Sequence, residues 1–223
     1  MNRNMKLLAL AFIVLIVLVG VETFVLANIQ GKDSQTSPIR VACVGDSITA
    51  GTEYPVDLWE QLGPNYVVGN FGIGGATVTL GTKSSWINET GFPVAKQFQP
   101  DIVVVTLGTN DANTDHNKTN AGFIADYTKL ISEFQALSSN PQVYLVLPPP
   151  VFSNNAGLSQ TYFADNVIPS IRQVASQTGL PLIDAYTPLL DHSEYFGDGV
   201  HPTVEGARII ADVVYAALNS GNR

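Results

Sequence analysis

A parallel α/β sheet with helices on both faces is the fold class that the sequence predicts, and three observations predict it. Four β-rich, predominantly apolar runs recur at 39–44, 66–71, 102–107 and 142–147, with a shorter fifth at 182–183. Continuous rather than alternating apolar runs suit strands buried on both faces, as in parallel sheets. Segments of helical spacing separate the runs, and strands alternating with helices make βαβ units.

Ahead of the first strand, Arg3 and Lys6 precede the apolar stretch 7–21, the layout of an export leader. Val25, Leu26 and Ala27 offer small residues at signal-peptidase spacing, and cleavage is the favoured fate. Reading on to Ala27 gives a segment just long enough to span a bilayer, interrupted by Glu22. Residues 1–27 are therefore expected to be a signal peptide or an N-terminal membrane anchor. In either case the positive end stays inside and the remainder is sent out, to be secreted, periplasmic or anchored facing outward. Residues 28–38, polar with Gly31, Ser34, Ser37 and Pro38, read as a linker. Residues 39–223 are a usual size for a single domain.

The first run, Ile39 to Val44, contains Cys43, the only cysteine, so no internal disulfide can form; a small buried core residue is the expected role. Helical patterns follow at 54–62, more weakly at 92–98, then at 119–138, 162–178 and from Pro202 to about 218. In the third of these, Phe123, Tyr127, Leu130, Ile131, Phe134 and Leu137 fall at helical spacing and are expected to face the core.

Apolar residues make up 45% of the chain and charged ones 13%, which supplies a core and argues against disorder. A net charge of −8 disfavours nucleic acid and anionic membrane surfaces, so a neutral or weakly charged small molecule or polymer fits better. No feature of the sequence bears on oligomeric state.

In open α/β sheets ligands bind beyond the carboxyl ends of the strands, and the distinctive polar residues collect there. Gly45-Asp-Ser-Ile-Thr49 follows the first strand, Asn70-Phe-Gly-Ile-Gly-Gly-Ala-Thr77 the second, Gly108-Thr-Asn-Asp111 the third, and Asp198-Gly-Val-His201 lies in the last connection. A serine hydroxyl needs a base to become a nucleophile, and the base works best when a carboxylate fixes its tautomer. Asp198 and His201, three apart and followed by Pro202, supply that pair from one turn, with Ser47 as nucleophile. The backbone N–H groups of Ser47 and Gly75 and the Asn110 side-chain amide are candidate oxyanion donors.

Taken in order, these four blocks are similar to those of the SGNH hydrolases, also called the GDSL esterase/lipase family, over about Ile39 to Leu218. The resemblance implies a three-layer flavodoxin-like fold with a central parallel sheet of about five strands in the order 2-1-3-4-5. It also implies Ser47 and His201 as nucleophile and base, Asp198 as the partner of the histidine, Gly75 and Asn110 as oxyanion donors, and no cofactor. Gly72, Gly74 and Gly75 are all available in the second block; Gly75 is chosen because Asn70-x-Gly72-x-x-Gly75 matches the family pattern best.

Other residues receive structural roles. Asp46 and Asp111 are expected to brace the loops through backbone hydrogen bonds. His116 reads as a solvated loop residue and His192 as a surface residue, and three histidines without ligand spacing give no metal site. The glycines 72–75 are not followed by a helix and so do not form a dinucleotide cradle. The chain is thus expected to be a serine ester hydrolase, removing short acyl groups, chiefly acetyl, from carbohydrate. Residues 39–223 leave no long apolar lid for a fatty chain. Trp86, Phe152, Tyr162 and Tyr195 could pack on a sugar ring or cap the core. The blocks at 107–111, 147–152 and 198–202 are also similar to those of exported SGNH members that deacetylate polysaccharides. A lysophospholipase or thioesterase of the same family, or a non-catalytic binding module, are the alternatives.

Overall fold

The computed structural model describes residues 37–116 and 119–220. The expected leader and most of the expected linker, residues 1–36, lie outside them. Of the chain's two units, Pro38–Arg223 carries every element below.

Five parallel strands form one sheet in the order β2-β1-β3-β4-β5. They are β1 Ile39–Gly45, β2 Tyr66–Gly72, β3 Ile102–Thr106, β4 Gln142–Leu147 and β5 Leu182–Asp184. The helices are α1 Ser47–Gly51, α2 Tyr54–Leu62, α3 Gly91–Gln97, α4 Asn120–Gln135, α5 Ile168–Thr178 and α6 Val204–Ser220. This is the flavodoxin-like order that the family resemblance implied.

Strand side chains alternate between faces, and here each face has its own buried cluster. Ala42, Val44, Val103, Val105, Leu145 and Leu147 pack with residues of α3, α4 and α5. Val41, Cys43, Val104, Tyr144, Val146 and Ile183 pack with α2 and α6. Register places Ala42 beside Val103, and Val103 beside Val143, so apolar side chains stack across strands on each face. The α4 face read from the sequence is buried at Phe123, Tyr127, Leu130, Ile131 and Phe134, with Leu137 packed against the same cluster.

Local chemistry explains the boundaries. The Thr119 hydroxyl accepts from the Gly122 N–H and caps α4. Pro55 and Pro169 sit in the first turns of α2 and α5, where a missing N–H costs nothing.

Two elements depart from expectation. β2 is an edge strand and only half buried, with Val67 41% exposed, because one of its sides has no neighbouring strand. The helix expected over 162–178 instead begins with a turn at Gln160–Tyr162 and a π turn at Phe163–Val167 before α5. Trp86, for which packing on a sugar ring and packing on the core were both open, is fully buried. It packs edge-on against Phe92 at 5.9 Å, lies 6.0 Å from Phe134, and its indole N–H donates to the Phe71 carbonyl.

Trp86 thus anchors the long connection between β2 and α3 to the core. Trp86→Ala is expected to destabilise the protein by about 3–5 kcal/mol, the range for deleting a large buried aromatic, as read by the shift in the urea unfolding midpoint. A change below about 1 kcal/mol would show that the connection is held by other contacts.

Candidate active site

Ser47 is the first residue of α1, immediately after β1. Asp46 precedes it as N-cap, with its carboxylate accepting from the Ile48 N–H at 2.9 Å. Burial pushes the Asp46 carboxyl up to about 6, against the lowering effect of that N–H. Asp46 therefore shapes the turn that presents Ser47 and points into the protein.

Residues 198–201 form a tight turn in the last connection. The Asp198 Oδ1 accepts the N–H groups of Val200 at 2.9 Å and His201 at 2.8 Å, leaving Oδ2 to meet the His201 Nδ1 at 2.6 Å. Gly199 makes the turn possible: its φ is +81°, and a Cβ there would lie 2.1 Å from the Ser153 carbonyl oxygen. Across the rim, His201 Nε2 lies 2.8 Å from the Ser47 Oγ. With the ring proton on Nδ1 facing the carboxylate, Nε2 is left to accept from the hydroxyl. Slight desolvation works to raise the Asp198 carboxyl, but hydrogen bonds from the His201 ring and from two backbone N–H groups outweigh it and hold it at about 2. Asp198 is thus ionised at neutral pH. The site is open: the side chains of His201 and Asp198 are 44% and 58% exposed.

The second and third loops close the other side. Asn70 links the first two loops, donating to the Thr49 carbonyl at 2.8 Å and accepting from the Gly72 N–H at 3.0 Å. That bond occupies the Gly72 N–H, and a Cβ on Gly72 would sit 2.2 Å from the Ala50 nitrogen, so this glycine serves close packing against α1. Gly74 and Gly75 are exposed, and Gly75 turns the chain at φ +75°. One hydrogen of the Asn110 amide goes to the Ala76 carbonyl at 3.0 Å, which places that side chain beside the Gly75 turn with its second N–H uncommitted to that bond. The buried Asp111 carboxylate accepts from Val78 and Thr79, both at 2.9 Å. Burial raises its pKa despite these donors.

The structure therefore brings together Ser47, His201 and Asp198 in one hydrogen-bonded line and sets the Gly75 and Asn110 loops against each other. Asp46 and Asp111 do brace loops through backbone hydrogen bonds. One expectation is corrected. His116 is not fully solvated: it is half-buried, and its Nδ1 is shielded from solvent without a hydrogen-bond partner. His192 is a surface residue, as expected, with its side chain 43% exposed, bonded through Nδ1 to Glu194 at 2.8 Å and stacked on Tyr195 at 5.0 Å. No periodicity or spacing marked the position of His116; only the path of the loops decides it. Cys43 is buried, with its thiol pushed up to about 12 by desolvation. Among the described residues, no group of three or more His, Cys, Asp or Glu is arranged to hold a metal ion.

Residues 43–209 match the GDSL-like Lipase/Acylhydrolase family, and the chain belongs to it. It is 31% identical over 206 residues to an acetylxylan esterase of Xylanibacter ruminicola, an alignment covering 81% of this chain and 43% of that protein. A GDSL esterase/lipase of Arabidopsis thaliana is 21% identical over 54% of this chain and 55% of its own length, so the chain spans about half the length of the curated relatives it matches. Among solved structures, a lipase/acylhydrolase from Enterococcus faecalis is 26% identical with a TM-score of 0.65, covering 82% of this chain and 96% of that one. A carbohydrate acetylesterase from Sinorhizobium meliloti, 17% identical with a TM-score of 0.65 over 82% of this chain and 99% of that one, shares the fold.

Because Asp111 holds two buried N–H groups of the second loop, Asp111→Ala leaves both unpaired. It is expected to cost about 2 kcal/mol of stability and to loosen the Gly75 turn. Urea unfolding together with amide hydrogen exchange at Val78 and Thr79 checks this, since intact protection at those two amides would show another acceptor in place.

Proposed function

We propose that the chain is a serine ester hydrolase that removes short acyl groups, acetyl foremost, from carbohydrate through an acyl-Ser47 intermediate. The observation that carries the reading is the unbroken line from Ser47 Oγ through His201 to Asp198, at 2.8 and 2.6 Å. In this mechanism His201 Nε2 takes the hydroxyl proton as Ser47 Oγ bonds to the ester carbonyl carbon. The negative charge that develops on the carbonyl oxygen is met by the N–H groups of Ser47 and Gly75 and the free hydrogen of the Asn110 amide. Ionised Asp198 steadies the imidazolium, which returns the proton to the departing alcohol oxygen. Water then attacks the acyl-Ser47 carbonyl, giving its proton to His201, and the acid leaves as Ser47 recovers its hydrogen.

Two features support a small acyl group on a polar alcohol. One is the identity to an acetylxylan esterase over most of this chain. The other is the polar lining beside Gly75, where Thr77, Thr82, Lys83, Ser84 and Glu89 offer no apolar channel for a fatty chain.

Ser47→Ala and His201→Ala are each expected to lower kcat by about 10,000-fold or more, and the double variant by little beyond either, because both serve one proton transfer. Asn110→Ala is expected to lower kcat about 100- to 1,000-fold with little change in KM. On p-nitrophenyl esters of rising length, activity should peak at acetyl and fall sharply by octanoyl, with acetate released from acetylated xylan. Preference for long acyl chains or lysophospholipid would replace the carbohydrate reading with the lipase one. Wild-type turnover by folded Ser47→Ala would overturn the mechanism itself.

We also propose export, supported by the leader pattern in residues 1–27. Fractionation should find the protein beyond the cytoplasmic membrane. A mature N-terminus near Asn28 would mark cleavage, and an intact leader in the membrane fraction would mark an anchor. Soluble cytoplasmic protein with its full leader would contradict both.

A further inference from the structure

Two cavities lie beyond Gly75, and neither is lined by Ser47 or His201. The first, about 450 Å³, begins at Gly74 and Gly75 and continues between Thr82, Lys83, Glu89 and His116. The second, about 180 Å³, lies between the Asn110 loop, the start of α4 and the π turn, and is lined by Asn113, Asn120, Asn166 and Ser170 with Phe123 at its side. His116 is the residue common to both.

Their chemistry is that of a site for hydroxyl groups. In the first cavity no Leu, Ile, Val, Met or aromatic carbocycle lines the wall. Its carboxylate is held in place, since the Ser84 hydroxyl donates to Glu89 at 2.7 Å. In the second, Asn120 donates to the Asn166 oxygen at 3.2 Å, which orients both amides, and each amide keeps further donor or acceptor positions. The π turn carries Asn166 and Val167 onto the wall; such turns widen a helix locally and recur at functional sites.

His116 lines both cavities and is only half-buried, so its imidazole meets any ligand that spans them. The charges select among sugars. Lys83 and Glu89 face the same cavity with opposite signs, and the buried Asp111 on the wall of the second is already engaged by two N–H groups. On a chain of net charge −8, an anionic uronate or sialate gains little there.

We propose that the two cavities form a subsite for a neutral, hydroxyl-rich glycan, with the His116 imidazole at their junction positioning the chain by a hydrogen bond to a sugar hydroxyl. This rests on the ester-hydrolase reading for the reaction, but binding can be measured without turnover. Unsubstituted xylo-oligosaccharide is titrated calorimetrically into the Ser47→Ala protein, with oligogalacturonide as the anionic comparison. Xylo-oligosaccharide should bind at least fivefold more tightly than oligogalacturonide. Adding His116→Ala should weaken xylo-oligosaccharide binding at least fivefold, while His116→Gln, which keeps a hydrogen-bonding group at the reach of the ring, restores most of it. In the Ser47 enzyme, His116→Ala should lower the ratio of kcat/KM on acetylated xylo-oligosaccharide to that on p-nitrophenyl acetate at least fivefold, mainly through KM. Folding of each variant is checked by circular dichroism. No glycan binding by folded Ser47→Ala protein, a preference for oligogalacturonide, or an equal loss on both substrates overturns the subsite. Glycan binding by a wild-type protein that hydrolyses neither ester would overturn the hydrolase reading and leave the subsite standing.

Discussion

The buried carboxylate of Asp111, held by the N–H groups of Val78 and Thr79, joins loops that the sheet alone leaves independent. Strand pairing fixes β1, β2 and β3 side by side but says nothing about the chain once it leaves their carboxyl ends. Asp111 closes that gap between the second and third loops, and Asn110, its neighbour, adds a bond to the Ala76 carbonyl. Similar fasteners run around the rim. Asn70 ties the second loop to the Thr49 carbonyl of the first, the Ile73 N–H donates to the Gly45 carbonyl, and the Phe152 N–H after β4 donates to the Gly199 carbonyl in the histidine turn. Each fastener fixes a pair of loops, so the 2.8 Å approach of His201 to Ser47 depends on residues that never touch the reacting atoms.

Burial also separates the roles of the acids. Asp46, Asp111 and Asp198 all lie near the rim, yet desolvation lifts Asp46 to about 6, whereas donors from His201 and Val200 hold Asp198 near 2. A carboxylate that must balance an imidazolium has to stay ionised throughout turnover. Asp198 meets that condition because it is exposed and rich in donors. Asp46 and Asp111 suit the opposite task, since one oxygen of Asp46 and both of Asp111 accept backbone N–H groups of the rim loops.

The strands and most helices were legible because burial on both faces imposes continuous apolar runs, and α4 was legible because six apolar residues share one face. The half-buried β2 obeys the same rule less strictly, and a run such as Tyr66 to Phe71 carries no sign of which strands will flank it. α1 is five residues long, too short for any periodicity to register. The line Ser47, His201, Asp198 could be read because all three sit at strand ends or in one turn, where local sequence nearly determines position. Trp86 and His116 could not be, since the connections that hold them have no repeating pattern. Whether an aromatic or imidazole ring there faces water or core is settled by how those connections fold back on α3 and α4.

The openness of the site places limits on what holds it together. With the His201 and Asp198 side chains about half exposed, charge interactions among them are screened by water. A short-range electrostatic grip could not by itself keep Ser47, His201 and the proposed oxyanion donors in register. The register has to be built into the backbone, through Gly199 in its left-handed turn, Gly72 pressed against α1, and buried acids capping N–H groups. Such preorganisation costs nothing at the moment of reaction, and it leaves His201 and Asp198 open to solvent. Under the proposed mechanism water can then reach an acyl group on Ser47 directly, and a substrate too large to be enclosed can still lie across the rim.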